Sequence, residues 1–443
     1  MTDTVHLAPV AGRARIEILD VLRGIAILAI FYMNIPFQAQ SVFSFFTDVR
    51  LVGWTPADQI VWAGTLIFLD GTQRCLLEFL FGAGMMVLTA KAMEPDGPVA
   101  IADLYYRRTM WLLAFGLFDI FIVLWPGDIL ATYALAAMFL FPFRKLGPKT
   151  LVAIGLAFAL FTAIGGVAQY AERAVLIDKI HAVEAKQAAG QKLTASDTEA
   201  LETWRKAEAA LRVSPEVQKE IDRERTSHRG TLVDYGAFYW SVWQHYFIAK
   251  GLLFMTVLEA FFAMLIGVAL WKWGVIQGQR SGRFYAVLAL AAYGFGITAR
   301  WIGVGEVLSF APIPRTFWAT SELARLAMGL GHLALVNLIF KAAIGRTILG
   351  PFRAAGRVAF SLYFLEQIIG LHILFSSYGL NLWGRFGWAG MAAIATGVIL
   401  LVLVIANVWT RYFAMGPMEW AWRSLAYLER QPFRKVQGVA SPG

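Results

Sequence analysis

Residues 388–410 read WAGMAAIATGVILLVLVIANVWT, twenty-three in a row without one charged side chain. A helix rises about 1.5 Å per residue and a bilayer core is about 30 Å thick, so about 20 apolar residues cross it. A helix apolar on every side is buried or faces lipid. Working outward, nine more segments of this kind lie at 18–39, 73–90, 109–125, 129–143, 150–168, 248–271, 284–303, 317–341 and 358–376. The expected fold class is all-α: a polytopic transmembrane helical bundle of about ten helices with an extramembrane helical insert. The segment at 73–90 follows another apolar stretch, Ile60 to Leu69, interrupted by Asp70-Gly71-Thr72-Gln73-Arg74. That stretch reads as an interfacial or re-entrant helix, or as the extension of a long tilted span. The segment at 129–143 is short, and the turn Trp125-Pro126-Gly127-Asp128 opens it.

Composition points the same way. Of the 443 residues, 58% are hydrophobic and only 16% are charged, where soluble domains carry about 25% charge. So few charges do not cover a water-facing surface, which excludes a soluble enzyme, and so much apolar side chain excludes disorder. A single cysteine, Cys75, rules out a disulfide framework, and six scattered histidines leave no metal-ligand set, so no metal is expected. The net charge of +9 is assigned to loops that orient the helices, not to nucleic acid. Residues 1–14 lack the pattern of a cleaved signal peptide, so the first helix is expected to remain as an anchor.

Charge placement predicts the orientation. With the N-terminus inside, twenty Lys and Arg fall on the inner side, including Arg13, Arg15, Lys91, Arg107, Arg108 and Lys272. The short outer loops hold three: Arg50, Arg315 and Arg385. Both termini are therefore expected in the cytoplasm. The expected organisation is transmembrane helices 1–5 in 1–170, an external soluble helical insert at 171–246, helices 6–10 in 247–428, and a cytoplasmic tail at 429–443. The insert is rich in Ala, Glu, Lys, Gln and Arg, with breaks expected near Gly190 and Ser214-Pro215.

Ionisable side chains within membrane spans are costly and mark cavities or partners. Asp20 and Arg23 are three apart on one helical face and can pair, and Asn34 lies three turns further along that face. They line a cavity, or Asp20–Arg23 anchors the helix and Asn34 binds a neighbouring helix. Arg74 and Glu78 have pair spacing, as do Glu322 and Arg325. Asp119 stands isolated mid-span, Asp128 and Tyr133 open the next helix, and Asp128 also suits an N-cap. His332 lies mid-span and Glu366-Gln367 lies within the ninth segment. No phosphate loop, zinc-protease or nucleophile-elbow motif occurs.

Five segments carry a family resemblance. Arg15-Ile-Glu-Ile-Leu-Asp20-Val-Leu-Arg23-Gly24, ending in Asn34, resembles the opening of the YeiB-like bacterial membrane proteins (domain of unknown function 418). Leu80-Phe81-Gly82-Ala83-Gly84 resembles their second motif. Arg107-Arg108, Phe115-Gly116-Leu117, Trp125-Pro126-Gly127-Asp128 and Tyr133 resemble the third. Gly356-Arg357-Val-Ala-Phe-Ser361-Leu-Tyr363 with Gln367 resembles the fourth, and Gly416-Pro417-Met-Glu419-Trp420-Ala-Trp422-Arg423 the last. Two positions depart from the pattern: many such proteins carry His where Asp119 stands, and an uncharged residue where Glu366 stands.

The family is similar to multi-helix membrane acyltransferases. That likeness implies transfer of an acyl group from a cytoplasmic thioester donor, such as acyl-CoA, to an envelope metabolite, lipid or glycan. The residues implied for catalysis are Asp119, Asp128 and His332. Those implied for substrate binding are Asp20, Arg23, Asn34, Arg74, Tyr133, Arg357 and Gln367. The residues themselves show no resident cofactor. Expected partners are membrane lipids and a small-molecule, lipid or glycan substrate, with a homo-oligomer left open. Two contrasting functions stay open: a transporter or exporter of a small polar solute, and a non-catalytic scaffold.

Overall fold

The computed structural model describes residues 16–89 and 99–435. Arg13, Arg15 and Lys91 of the charge count, and the end of the expected tail from 436 on, lie outside the described residues. The helices in order are α1 (Glu17–Ala39), α2 (Val42–Thr47), α3 (Pro56–Phe68), α4 (Thr72–Thr89), α5 (Val99–Phe118), α6 (Leu130–Leu140), α7 (Pro148–Gly155), α8 (Ala157–Ala188) and α9 (Ala195–Ala209). There follow α10 (Pro215–Arg229), α11 (Leu232–Val242), α12 (Leu252–Lys272), α13 (Gly282–Leu308), α14 (Phe317–Lys341), α15 (Ala343–Arg357), α16 (Ala359–Gln367), α17 (Trp388–Tyr412) and α18 (Pro417–Tyr427). No strand occurs among the described residues beyond one isolated bridge, Phe413 to Arg434.

α17 shows why a helix apolar all round suits a membrane. Met391, Ala395, Val398, Val402 and Ala406 form its buried stripe. On its far side Leu400, Leu401, Val404 and Val408 stay about half exposed or more. α8 and α13 expose Phe161, Ile164, Leu290 and Trp301 in the same way. Apolar surface this continuous is a lipid-facing surface, and the chain is a multi-pass membrane protein.

The expected number of about ten spans is not reached by length and composition. Among the described residues six helical stretches qualify: α1, the near-continuous α7–α8, α12, α13, α14 and α17. A seventh appears if α15 and the chain from Ala359 to Leu374, bent by 76°, count as one. The other expected spans fall short for local reasons. α4 is diluted by Thr72, Gln73, Arg74 and Glu78, α5 by Asp103, Arg107 and Arg108, and α6 has only 11 residues.

The ambiguous stretch before α4 becomes α3, begun by a Thr55–Asp58 capping box with Pro56 in its first turn. The chain then breaks at Gly71 (φ +63°). Arg300, buried on α13, donates to the carbonyls of Ile67 (3.0 Å) and Asp70, and to Thr72 Oγ1 (3.0 Å). It thereby satisfies carbonyls left open where α3 ends.

Two ends of the molecule differ. At one, Lys272 donates to Leu146 O, Lys341 to Gly278 O and Arg357 to Ala414 O, so the Lys- and Arg-rich loops gather there. At the other, Trp388 Nε1 donates to Val49 O, α8 packs through Arg173–Pro312, and the segment after α8 packs through Ser41–Glu224 and Ser377–Gly230. That segment breaks after α8 at Gly190 (φ +64°) and restarts at Pro215 under a Ser214 cap. Helix pairs touch backbone to backbone at several crossings, two of them with a glycine on each side. A Cβ on Gly24 or Gly356 would overlap Phe352 O or Asp20 O, and one on Gly82 or Gly267 would overlap Met264 O or Phe79 O.

Candidate functional site

Asp119 starts a five-residue π-helical turn that continues α5 and ends at Leu124, a non-glycine residue at φ +65°. A left-handed residue there costs about 1–2 kcal/mol and is held only by its surroundings. It stops the helix, Trp125 N–H closes back on Asp119 O at 3.1 Å, and Pro126-Gly127 turn the chain toward α6. Gly116 lets α5 meet α6, because a Cβ there would overlap the Ala131 backbone on α6 and press on Asp128 Oδ2.

Asp128 Oδ2 accepts the Ala131 N–H at 2.6 Å, so it caps α6. Its Oδ1 accepts the Tyr363 hydroxyl at 3.2 Å, and Tyr363 in turn accepts the Ile129 N–H at 3.4 Å. Asp119 is fully buried against Asp128 and Tyr363. Neither of its carboxylate oxygens has a donor in hydrogen-bonding geometry among the described residues. Glu366, one turn beyond Tyr363 on α16, is also fully buried, with neither oxygen given a donor among the described residues. His372 donates from Nε2 to Val123 O at 2.8 Å and accepts the Tyr378 hydroxyl at Nδ1, latching the π turn from the far side.

The closing motif holds this centre in place. Glu419 accepts the Phe360 N–H (2.7 Å) and the Ser361 hydroxyl (2.5 Å), capping the helix that carries Tyr363. Asp20 and Arg23 pair at 3.2 Å, and Arg23 donates to Gly356 O, beside Arg357. Arg108 lies 4.3 Å over the Trp422 ring and within electrostatic reach of Arg23. Asn34 is buried further along α1, four residues before Gln38, whose amide donates to Gln367 Oε1.

A second buried cluster joins four helices. Arg325 forks onto Glu322 through Nε (2.8 Å) and Nη2 (2.7 Å), and reaches Glu78 (2.8 Å) and Glu259 (3.2 Å) through Nη1. Glu322 and Arg325 thus pair as their spacing suggests. Arg74 and Glu78 do not pair with each other: Arg74 binds Glu259 at 2.7 Å and Glu78 binds Arg325. The planar Arg325 fork serves several carboxylates at once, which outcompetes a neighbour four residues along the same helix. Tyr133 donates to Arg74 O at 3.1 Å, so it belongs to this cluster. His332 donates to Met328 O on its own helix and meets the Tyr293 ring.

The expected residues therefore fall into groups. Asp119 and Asp128 meet; Asp20, Arg23 and the start of the Arg357 motif meet; Arg74 and Tyr133 meet; Gln367 sits with Gln38; His332 is held by α14 and Tyr293. Tyr363, Gln38 and His372 were not among the expected site residues. Tyr363 stood inside a quoted motif and His372 is an ionisable side chain within the ninth segment, whereas Gln38 carries no local signal.

The family model described as "Protein of unknown function (DUF418)" matches residues 270–429. The chain is 31% identical to the uncharacterized protein YxaH of Bacillus subtilis, over 98% of this chain and 99% of that one. It is 25% identical to the uncharacterized protein YeiB of Escherichia coli, over 92% and 95%. An uncharacterized 39.9 kDa protein from the amylase 3' region of Bacillus acidopullulyticus matches at 22%, over 96% and 97%. No solved structure matches.

Proposed function

Because the chain belongs to the YeiB-like DUF418 family, we propose that it is a membrane acyltransferase of the bacterial inner membrane. The Lys- and Arg-rich end faces the cytoplasm, with both termini, and the segment after α8 faces outward. The shorter helices α4, α5 and α6 supply the further crossings toward ten. A thioester donor such as acyl-CoA docks its anionic carrier at Arg23, Arg108 and Arg357, since guanidinium forks suit phosphate. The acceptor is a hydroxyl of an envelope metabolite, lipid or glycan. Asp119 takes the acceptor proton as the acceptor oxygen bonds the acyl carbon, the C–S bond breaks, and the thiolate leaves with its electron pair. Asp128 and Tyr363 hold Asp119 in place.

The observation that carries this reading is the fully buried Asp119 carboxylate, beside Asp128 and Tyr363 and without a donor in bonding geometry among the described residues, at a strained turn. Working groups are held in such settings. The test is transfer of label from radiolabelled acyl-CoA into the envelope fraction by membranes containing the full-length protein. Asp119→Asn should cut transfer by about 100-fold, the scale of general-base catalysis, with an unchanged melting temperature. Asp119→His should retain much of it. Wild-type membranes that move no label, or an Asp119→Asn variant as active as wild type, would overturn the reading.

The Arg325 cluster supports the transporter reading. Its two arginines and three glutamates leave one carboxylate in excess inside the bundle, and carboxylates of this kind serve as proton or solute sites. Uptake into inverted vesicles that vanishes in Glu259→Gln while label transfer is absent would favour it.

A further inference from the structure

A cavity of about 310 Å³ lies where α10 meets the turn between the π-helical segment after α16 and α17, at the end of the molecule opposite the Lys- and Arg-rich loops. Its wall includes three arginines, Arg225, Arg229 and Arg385, and no acidic residue. Arg225 is partly engaged by Asp222 at 2.9 Å, across an exposed pair. Two of the arginines come from one helix and the third from a turn more than 150 residues on, so only the packed fold brings them together.

The cavity also has buried polar atoms without partners. His228 is 3% exposed and lines it. Its Nε2 faces the Tyr239 hydroxyl at 3.5 Å, and its Nδ1 has no hydrogen-bond partner among the described residues. The Trp383 indole stacks on the imidazole at 4.4 Å, and its Nε1–H, also in the cavity wall, has no acceptor among the described residues. A neutral imidazole carries one N–H, and in the tautomer whose Nε2 accepts from the Tyr239 hydroxyl that N–H stands at Nδ1. Burial pushes His228 down to about 3, so it offers this donor uncharged at neutral pH.

Buried donors are rarely left without an acceptor. Two of them, in a wall that carries three arginines and no acidic residue among its lining side chains, describe a receptor for an oxyanion. We propose that this cavity binds a phosphate group, held by Arg229, Arg385 and Arg225 with His228 and Trp383 donating at its floor. The phosphate belongs to a soluble ester or to a lipid headgroup; the recognising chemistry is the same. The inference does not rest on acyl transfer, because it concerns groups at the other end of the bundle from the proposed donor site.

The test uses the full-length protein. Calorimetric titration with inorganic phosphate in detergent probes a soluble source. Melting in nanodiscs of phosphatidylcholine, with and without phosphatidylglycerol, probes a lipid source. The wild type should bind phosphate saturably, or melt higher in the phosphatidylglycerol discs. Arg229→Gln and Arg385→Gln alter exposed side chains and should fold, as their ligand-free melting temperature will show. Each should weaken binding by about tenfold or more, the size of one charge-assisted hydrogen bond. Arg205→Gln, an equal charge loss on α9 outside the cavity, should leave binding unchanged. A wild type that responds to neither probe, or cavity variants that respond as it does, overturns the site.

Discussion

Glu224 lies wholly buried between α10 and the start of α2, accepting the Ser41 hydroxyl at 2.5 Å and the Val42 N–H at 3.3 Å. Burial pushes its carboxyl up to about 7 against those two bonds, with Glu220 adding to the rise. A carboxyl raised in the folded state binds more protons folded than unfolded, so stability is lost as pH rises from about 4.5 to about 7. His228, one turn on, is lowered from 6.5 to about 3 by burial. It binds fewer protons folded, so stability is gained over about pH 3 to 6.5. Between about pH 4.5 and 6.5 the two slopes oppose each other. Glu224→Gln removes one and leaves the other, so its melting temperature should climb over that interval relative to wild type. A pH profile parallel to that of the wild type would show that Glu224 ionises as it does in the unfolded chain. At this scale the sequence was partly readable. The Trp125–Asp128 turn and mid-span Asp119 stand out locally, whereas the Tyr363 bond to Asp128 spans 235 positions and exists only after packing.

The break between α3 and α4 shows how an element is completed from outside itself. The interruption at Asp70–Arg74 was visible in the sequence, but re-entrant, interfacial and tilted readings stayed open. The structure gives two helices with the break held by Arg300 from α13. Arg300→Met should cost about 3 kcal/mol or more, since several buried carbonyls lose their donor and each is worth about 1–3 kcal/mol. Arg300→Lys should recover only part, because an ammonium cannot fork across acceptors spread over the break. Thermal unfolding of the three proteins in one detergent decides it; equal midpoints would remove Arg300 from this role. The Arg74–Glu78 spacing misled for a related reason: helical spacing makes a pair available, and interhelical partners choose.

For the whole molecule, the sequence conveyed the class through long uncharged runs such as 388–410. About ten spans were expected, and six or seven helical stretches qualify by length and composition among the described residues, the rest being short, charged or bent. Orientation has a direct measurement. The single cysteine, Cys75, is buried, so one added cysteine reports its own position. On intact cells an impermeant maleimide should label Gln191→Cys, in the turn after α8, and should label Arg346→Cys, on α15, only after permeabilisation. The reverse pattern would invert the molecule in its membrane. The glycine crossings of α1 with α15 and α4 with α12 set what such a molecule can do mechanically. Where bare backbones touch, each crossed pair already sits at its closest spacing and has no room for a side chain. Any further compaction of the bundle is then left to the contacts between such pairs, through turns such as the one from Leu124 to Gly127.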